Sequence, residues 1–151
     1  MKTFTDNTGR SWAVVMNVDA IKRVRDLAGV NLLEVVEGKL IDRLVGDPVL
    51  LCDVVYALCT EQADAKNVSD VEFGKAMGGD CIEVATTAVL EELVSFFPQG
   101  RRRLLSKALA KLKTLETATL AAAEARLDSP ELEKRLAEVL AIGMEPTLPG
   151  S

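Results

Sequence analysis

The most constraining feature of the sequence is an apolar segment that begins at Asp47-Pro48 and continues to about Ala63. Aspartate is a good N-cap and proline fits the first helical turn, so this pair predicts the start of a helix. From Val49 to Cys59 the segment is apolar on nearly every side. Such a helix has to be covered by other elements or by a partner. The sequence therefore predicts a helical fold organised around this segment.

A first helix is predicted over about Val18–Ala28. Asn17 or Asp19 can cap its start, and Gly29 suits the left-handed position at its end. Its apolar stripe is predicted to consist of Ile21, Val24 and Leu27, together with Ala20 and Ala28.

Similar cap and breaker signals divide the rest of the chain. The segment 31–38 is either a short strand or one helical turn. A capping box at Ser69 and Glu72 begins a short helix, Gly78-Gly79 breaks it, and Asp80 can cap the next one. Helices are thus predicted over about 40–45, 48–63, 70–77, 81–97, 101–127 and 130–143.

Residues 3–16 are predicted to form a β-hairpin. Asn7-Thr8-Gly9 supplies the turn, and Trp12, Val14 and Met16 alternate on one face of the second arm, to which Phe4 can pair. Because a hairpin is not stable alone, we expect it to lie on the helices, with Trp12 against the first helix near Ile21 or Val24.

The composition changes after Gly100. Residues 101–127 hold no Gly or Pro and are rich in Ala, Leu, Lys and Glu, which favours one long helix. The predicted fold is therefore mainly α, with a small N-terminal β-hairpin packed on a helical bundle and a long helical C-terminal extension. The predicted domains are 1–98 (hairpin plus helices), 99–143 (helical extension) and 144–151 (flexible tail).

Charge is unevenly distributed along the chain. Residues 1–100 carry 9 Lys and Arg against 16 Asp and Glu, whereas the segment 101–113 gathers six positive charges and no acid. That basic segment could contact a partner protein, nucleic acid or an acidic membrane, or be plain helix surface. Since it has no aromatic side chain to stack on bases and the body is acidic, nucleic-acid binding is disfavoured.

Residue types that commonly carry catalysis are scarce. The chain has no histidine and no G-x-S-x-G motif, and Cys52, Cys59 and Cys81 are embedded in apolar patterns typical of reduced core thiols. We therefore expect no catalytic, cofactor or metal site and no enzyme activity. Without a signal peptide or a membrane-length apolar run, the expected location is the cytoplasm, with no membrane partner.

Residues 1–97 resemble the tail assembly chaperones of long-tailed bacteriophages and prophages. The resemblance lies in the order of features. These are a hairpin like Phe4–Val14, a helix starting like Asn17–Ile21 and ending near Gly29, an apolar helix like Asp47–Leu58, a segment like Val68–Phe73, and a last apolar helix, Ile82–Phe97. The extension after Gly100 has no counterpart in that pattern.

The resemblance implies a non-catalytic assembly factor in the bacterial host cytoplasm. Such proteins keep the long, apolar tape-measure protein soluble, bring tail-tube subunits to it, and are absent from the finished tail. Two alternatives stay open at this point: a small structural component of the virion, and a nucleic-acid-binding regulator that uses the basic helix 101–113. The oligomeric state is also open, including a homo-oligomer.

The two most apolar helices suggest where a protein partner could bind. A groove between 48–62 and 81–97 could take an amphipathic helix on a few anchors. The candidate partner-binding residues are Leu51, Val55, Leu58, Val89, Leu93, Phe96 and Phe97. The alternative is that both helices are simply core, in which case the extension after Gly100 is the next candidate.

Overall fold

The computed structural model describes the backbone of residues 1–143 and the side chains of residues 1–141, so the predicted tail at 144–151 lies outside it. The fold is mainly α with an N-terminal β-hairpin, as the sequence predicts. Two compact units are formed, Met1–Ser106 and a second from Lys107 onward. In order, the elements are β1 (Lys2–Thr5), β2 (Ser11–Val14), α1 (Val18–Ala28), a 3-10 helix (Leu32–Glu37), α2 (Lys39–Gly46), α3 (Pro48–Leu58), α4 (Thr60–Ala65), α5 (Asp70–Lys75), α6 (Asp80–Phe96), α7 (Gln99–Leu127) and α8 (Pro130–Gly143).

The hairpin pairs its two strands in antiparallel register. Phe4 lies opposite Trp12, and these two side chains and Val14 are buried on one face, as predicted. Met16, which was predicted to continue the alternation, lies beyond the end of β2 and is half-buried. The turn docks on the end of α5, because the backbone N–H of Asn7 donates to the carbonyl of Ala76 at 2.9 Å.

Trp12 does not take the position predicted for it. Its ring meets Phe73 of α5 edge-on, with centroids 5.1 Å apart, and the Lys66 ammonium lies 5.4 Å from the indole centroid. The prediction that Trp12 packs near Ile21 or Val24 assigned the hairpin to the wrong helix. Helix α1 packs mainly against α3, so its buried stripe is occupied there.

Helix α1 has the predicted bounds and caps. The Asn17 side chain accepts from the N–H of Ala20 at 2.8 Å, and Gly29 is left-handed with φ of 68°. Ala20, Ile21 and Val24 are buried, but Leu27 is 61 % exposed. The stripe is therefore shorter than predicted, because only the first two turns of α1 lie against the core.

The apolar segment forms two helices where one was predicted. Asp47 caps α3 by accepting from the N–H groups of Val49 and Leu50, but the helix is interrupted at Cys59. The carbonyls of Ala57 and Leu58 near this break accept from the Arg23 guanidinium, at 3.4 Å and 3.0 Å. Arg23 thus supplies donors at the end of α3, and α4 begins at Thr60.

Two further element ends differ from the prediction. Gly79, at φ of 59°, occupies the position before α6, so Asp80 is the first helical residue and not the cap. Helix α7 begins at Gln99 and includes Gly100, two residues before the predicted start at 101. The capping prediction at Ser69 is confirmed, since its hydroxyl accepts from the N–H of Glu72 at 3.1 Å.

Candidate protein-binding surface

The structure places the seven predicted partner-binding residues in and around the core. Helices α3 and α6 are packed together, as the groove hypothesis requires. However, six of the seven side chains are at most 5 % exposed, and only Phe96 is half-buried, with its ring against that of Phe97. The buried six are Leu51, Val55, Leu58, Val89, Leu93 and Phe97. In this conformation they hold the two helices together and present no surface to a partner.

A small open groove remains at the N-terminal ends of these helices. It has a volume of about 260 Å³ and is lined on its apolar side by Val49, Cys52, Met77 and Ile82. Val49 is the most exposed of the four. This groove lies at one end of the predicted site, with none of the seven candidate residues among its lining.

Helix α8 carries a contiguous exposed apolar face. Leu132, Leu136, Val139 and Leu140 follow the spacing i, i+4, i+7 and i+8, which places them on one side of a helix. Leu136 is 51 % exposed, and Val139 and Leu140 are each 64 % exposed. The ion pair between Glu131 and Arg135, at 3.2 Å, belongs to the more polar part of the surface.

Helix α7 also leaves large apolar side chains uncovered. Leu115, Leu120 and Leu127 are all more than 60 % exposed. Within the described part of the second unit, α7 and α8 do not pack along each other, so neither covers the apolar residues of its neighbour. The second unit therefore presents apolar surface that its own helices leave open.

The basic segment at the start of α7 is exposed. Arg101, Arg102 and Arg103 all point to solvent, and Arg102 also donates to the carbonyl of Ser95 at 3.1 Å. Lys107, Lys111 and Lys113 are exposed as well. The cationic side chains of the segment form a charged surface, whereas Leu105 and Leu109 in the same stretch are buried.

The cysteine thiols are held in their neutral form by burial. Burial raises the pKa of Cys59 to about 12, against a smaller opposing effect of the Arg23 cation. Burial also raises the pKa of Cys52, with a contribution from Asp53, and the pKa of Cys81. A neutral thiol is a poor nucleophile, so these side chains are suited to packing. Among the described side chains, no group of three or more His, Cys, Asp or Glu is placed to hold a metal ion.

No family model, no curated protein and no solved structure matches this chain. In the part of the chain that the structure describes, no helix combines the length and apolarity needed to cross a bilayer.

The α8 face could have been found in the sequence. Its periodic spacing is visible at Leu132, Leu136, Val139 and Leu140, with charged residues between them. The prediction placed the partner-binding surface at 48–62 instead, because apolar residues are denser there. The density of apolar residues in the sequence does not distinguish a side chain that is buried in the fold from one that is exposed and free to bind a partner.

Proposed function

We propose that this protein is a non-catalytic assembly factor of the tail assembly chaperone type, which binds the tape-measure protein and helps recruit tail-tube subunits. The observation that carries the proposal is the exposed apolar face of α8, formed by Leu136, Val139 and Leu140 with Leu132 beside them. The order of features in residues 1–97 supports the family, and the exposed face supplies a way to bind a partner.

The α8 face is suited to an amphipathic helix. A helix of 14 residues is marginally stable in water without tertiary packing, so covering its apolar side stabilises it. Full burial of a Leu or Val side chain contributes about 1.5–3 kcal/mol. Three or four such anchors on one face are enough for helix-on-helix recognition. A long, apolar, helical protein such as a tape measure offers many complementary segments.

The proposed role requires binding and no chemistry. The buried thiols of Cys59 and Cys81 are packed side chains, and the chain has no histidine. Under this proposal the first unit is a stable scaffold, while the second unit carries the binding surface. The place of action is the cytoplasm of the bacterial host, where tails are assembled.

Co-purification with the neighbouring tape-measure protein tests the proposal. The full chain is co-expressed with the tape-measure protein. Its gene should directly follow the gene of this chain and should encode a very long, helical protein. We expect the two proteins to co-purify, and expect the double variant Leu136→Asp/Val139→Asp to lose at least about tenfold in affinity. Ala137→Asp/Ala141→Asp is the matched control, because it adds the same two charges at exposed positions of the same helix that face away from Leu136 and Val139.

Three results would count against the proposal. One is retention of the partner by Leu136→Asp/Val139→Asp at an unchanged melting temperature. Another is equal loss in Ala137→Asp/Ala141→Asp, which would indicate a general charge effect. The third is recovery of the protein from purified finished particles, since a chaperone should be absent from them. That last result would favour the alternative of a structural virion component.

A further inference from the structure

The two outer edges of the hairpin differ in whether the rest of the first unit bonds their backbone groups. On the β2 side, the Gln62 side chain bonds both backbone groups of Ala13: its Oε1 accepts from the N–H at 2.8 Å and its Nε2 donates to the carbonyl at 2.8 Å. The Cys59 thiol donates to the same carbonyl at 3.6 Å. A side-chain amide thus takes the place of a third strand at this edge.

The pairing register shows what happens at the other edge. Ala13 lies directly opposite Thr3. In an antiparallel ladder the two residues of a pair either bond each other or both point away from each other. Because the N–H and C=O of Ala13 point outward to Gln62, those of Thr3 point outward from β1. Among the described residues, no side chain bonds these groups of Thr3.

A groove of about 470 Å³ lies between this open edge and helix α6. Thr3 lines it from the strand, and Val84 and Ala88 supply apolar surface from the helix. Val84 is 50 % exposed, so this apolar surface is accessible. The groove therefore combines unpaired backbone groups with an apolar wall, which are the two features that an added strand uses.

The carboxylates of α6 give the groove a negative charge. Asp80, Glu83 and Glu91 all line it. Glu91 is paired with Lys2 at 3.2 Å, whereas Asp80 and Glu83 have no cation within 4.0 Å among the residues that the structure describes. A segment that binds here is favoured if it carries Lys or Arg beside Asp80 and Glu83.

We propose that this groove binds an extended, basic segment of a partner protein, which adds to the sheet as a third strand beside β1. The backbone of the segment pairs with Thr3. One of its side chains lies against Val84, and a Lys or Arg lies near Asp80 and Glu83. This surface is in the first unit and is independent of the proposed role of α8.

A second copy of the same chain fits this edge poorly. If two β1 strands paired around a two-fold axis, the α6 helices of both copies would be brought toward each other. The acidic sides of the two α6 helices, which carry Asp80, Glu83 and Glu91, would then approach each other, and like charges repel. Charge therefore favours a basic partner over self-pairing.

A labelled peptide tests the proposal on the full chain. The probe is a fluorescein-labelled decapeptide of alternating Lys and Val, titrated by fluorescence anisotropy at physiological salt, with hydrogen exchange measured at the Thr3 amide. We expect saturable binding and slower exchange at Thr3. Thr3→Pro removes the N–H that would pair with the added strand, and an edge strand tolerates proline at such a position. This variant should bind the peptide at least about tenfold more weakly. Thr3→Ala keeps the N–H and should bind as the wild type does.

A second variant tests the charges without changing the strand. Asp80→Asn/Glu83→Gln should weaken binding at least about tenfold, whereas Glu37→Gln/Asp42→Asn, which removes two exposed carboxylates elsewhere in the first unit, should have less than about a twofold effect. Several outcomes would overturn the proposal. They are undiminished binding by Thr3→Pro, equal binding of a Lys-matched peptide with proline at alternate positions, and no binding of the Lys/Val peptide at all. Dimerisation in sedimentation velocity that Thr3→Pro abolishes would assign the edge to a second copy.

Discussion

Asp6 is the residue on which the hairpin turn depends, and its role was not evident from the sequence. Its carboxylate accepts from the indole N–H of Trp12 at 2.9 Å, from the hydroxyl of Thr8 at 2.7 Å, and from the backbone N–H groups of Thr8 and Arg10. Burial alone would raise the pKa of Asp6, but the bonds from Trp12, Thr8 and Arg10 outweigh it and lower the pKa to about 2. The charged form is thus favoured inside the fold.

This depressed pKa makes the stability of the fold depend on pH in acid. The ordinary pKa of the group is 3.8, so the folded state prefers the carboxylate by about 2 kcal/mol at neutral pH. That contribution is fully present above the unfolded pKa and is lost as pH falls from about 4 through about 2. Urea unfolding at pH 7, 4 and 2.5 should show the loss as a lower free energy of unfolding.

Asp6→Asn is the control for that measurement. The amide keeps the shape of the side chain but has no charge to titrate, and its NH₂ group cannot accept from Trp12. We expect this variant to be less stable at pH 7 and to lose less stability between pH 4 and 2.5. An equally steep acid dependence in both proteins would mean that other carboxyl groups cause it.

At the scale of elements, helix starts are predictable because their signals are local. Asn17, Asp47 and Ser69 each cap the helix that the sequence assigns to them. The interruption at Cys59 was not predictable, because the Arg23 guanidinium that bonds the carbonyl of Ala57 is 34 residues away in the sequence. The bond from Gln62, just after the interruption, to Ala13 spans 49 residues. Local propensity cannot report contacts across such separations.

The candidate partner-binding residues show that a local apolar pattern does not report whether a side chain is buried. Leu51 and Val89 were identified as apolar residues on apolar helices, and both are fully buried. Leu27 was assigned to the core and is exposed. Apolar periodicity identifies the face of a helix, but only the arrangement of the neighbouring elements decides whether that face is covered.

The amide of Gln62 should matter for the stability of the hairpin. Gln62→Ala leaves the backbone N–H of Ala13 without a partner and its C=O with only the weak thiol donor of Cys59. Losing a hydrogen-bond partner costs about 1–3 kcal/mol when the group is shielded from water. Chemical denaturation should show a decrease in that range. Glu61→Ala, at the exposed neighbouring position, should change the free energy of unfolding by less than about 0.5 kcal/mol.

A different result for Gln62→Ala is informative. If its stability equals that of Glu61→Ala, water replaces the side chain at no cost and the β2 edge does not need the amide.

At the scale of the whole molecule, charge is separated along the chain. The first hundred residues carry a net charge of −7, and the six cations of 101–113 follow directly. Because phosphate binding draws on many clustered cations, one basic stretch at 101–113 in an otherwise acidic chain is a weak nucleic-acid surface.

We therefore expect no useful binding to nucleic acid. In an anisotropy titration at physiological salt, duplex DNA and single-stranded RNA should show no affinity in the micromolar range. Arg101→Ala/Arg102→Ala/Arg103→Ala should behave as the wild type does. Micromolar binding that this triple variant loses would favour the regulator alternative.

The docking of the hairpin has a consequence for the order in which the chain acquires its structure during synthesis. The strands at residues 2–14 are anchored by Gln62, Phe73, Ala76 and helix α6, all of which leave the ribosome much later. Contacts between residues distant in sequence form slowly because a long loop has to close first. The hairpin must therefore wait, with Trp12 and Phe4 uncovered, until α6 has been translated. Helices α7 and α8 follow, so their apolar faces emerge from the ribosome only after the first unit has all the residues it needs to fold.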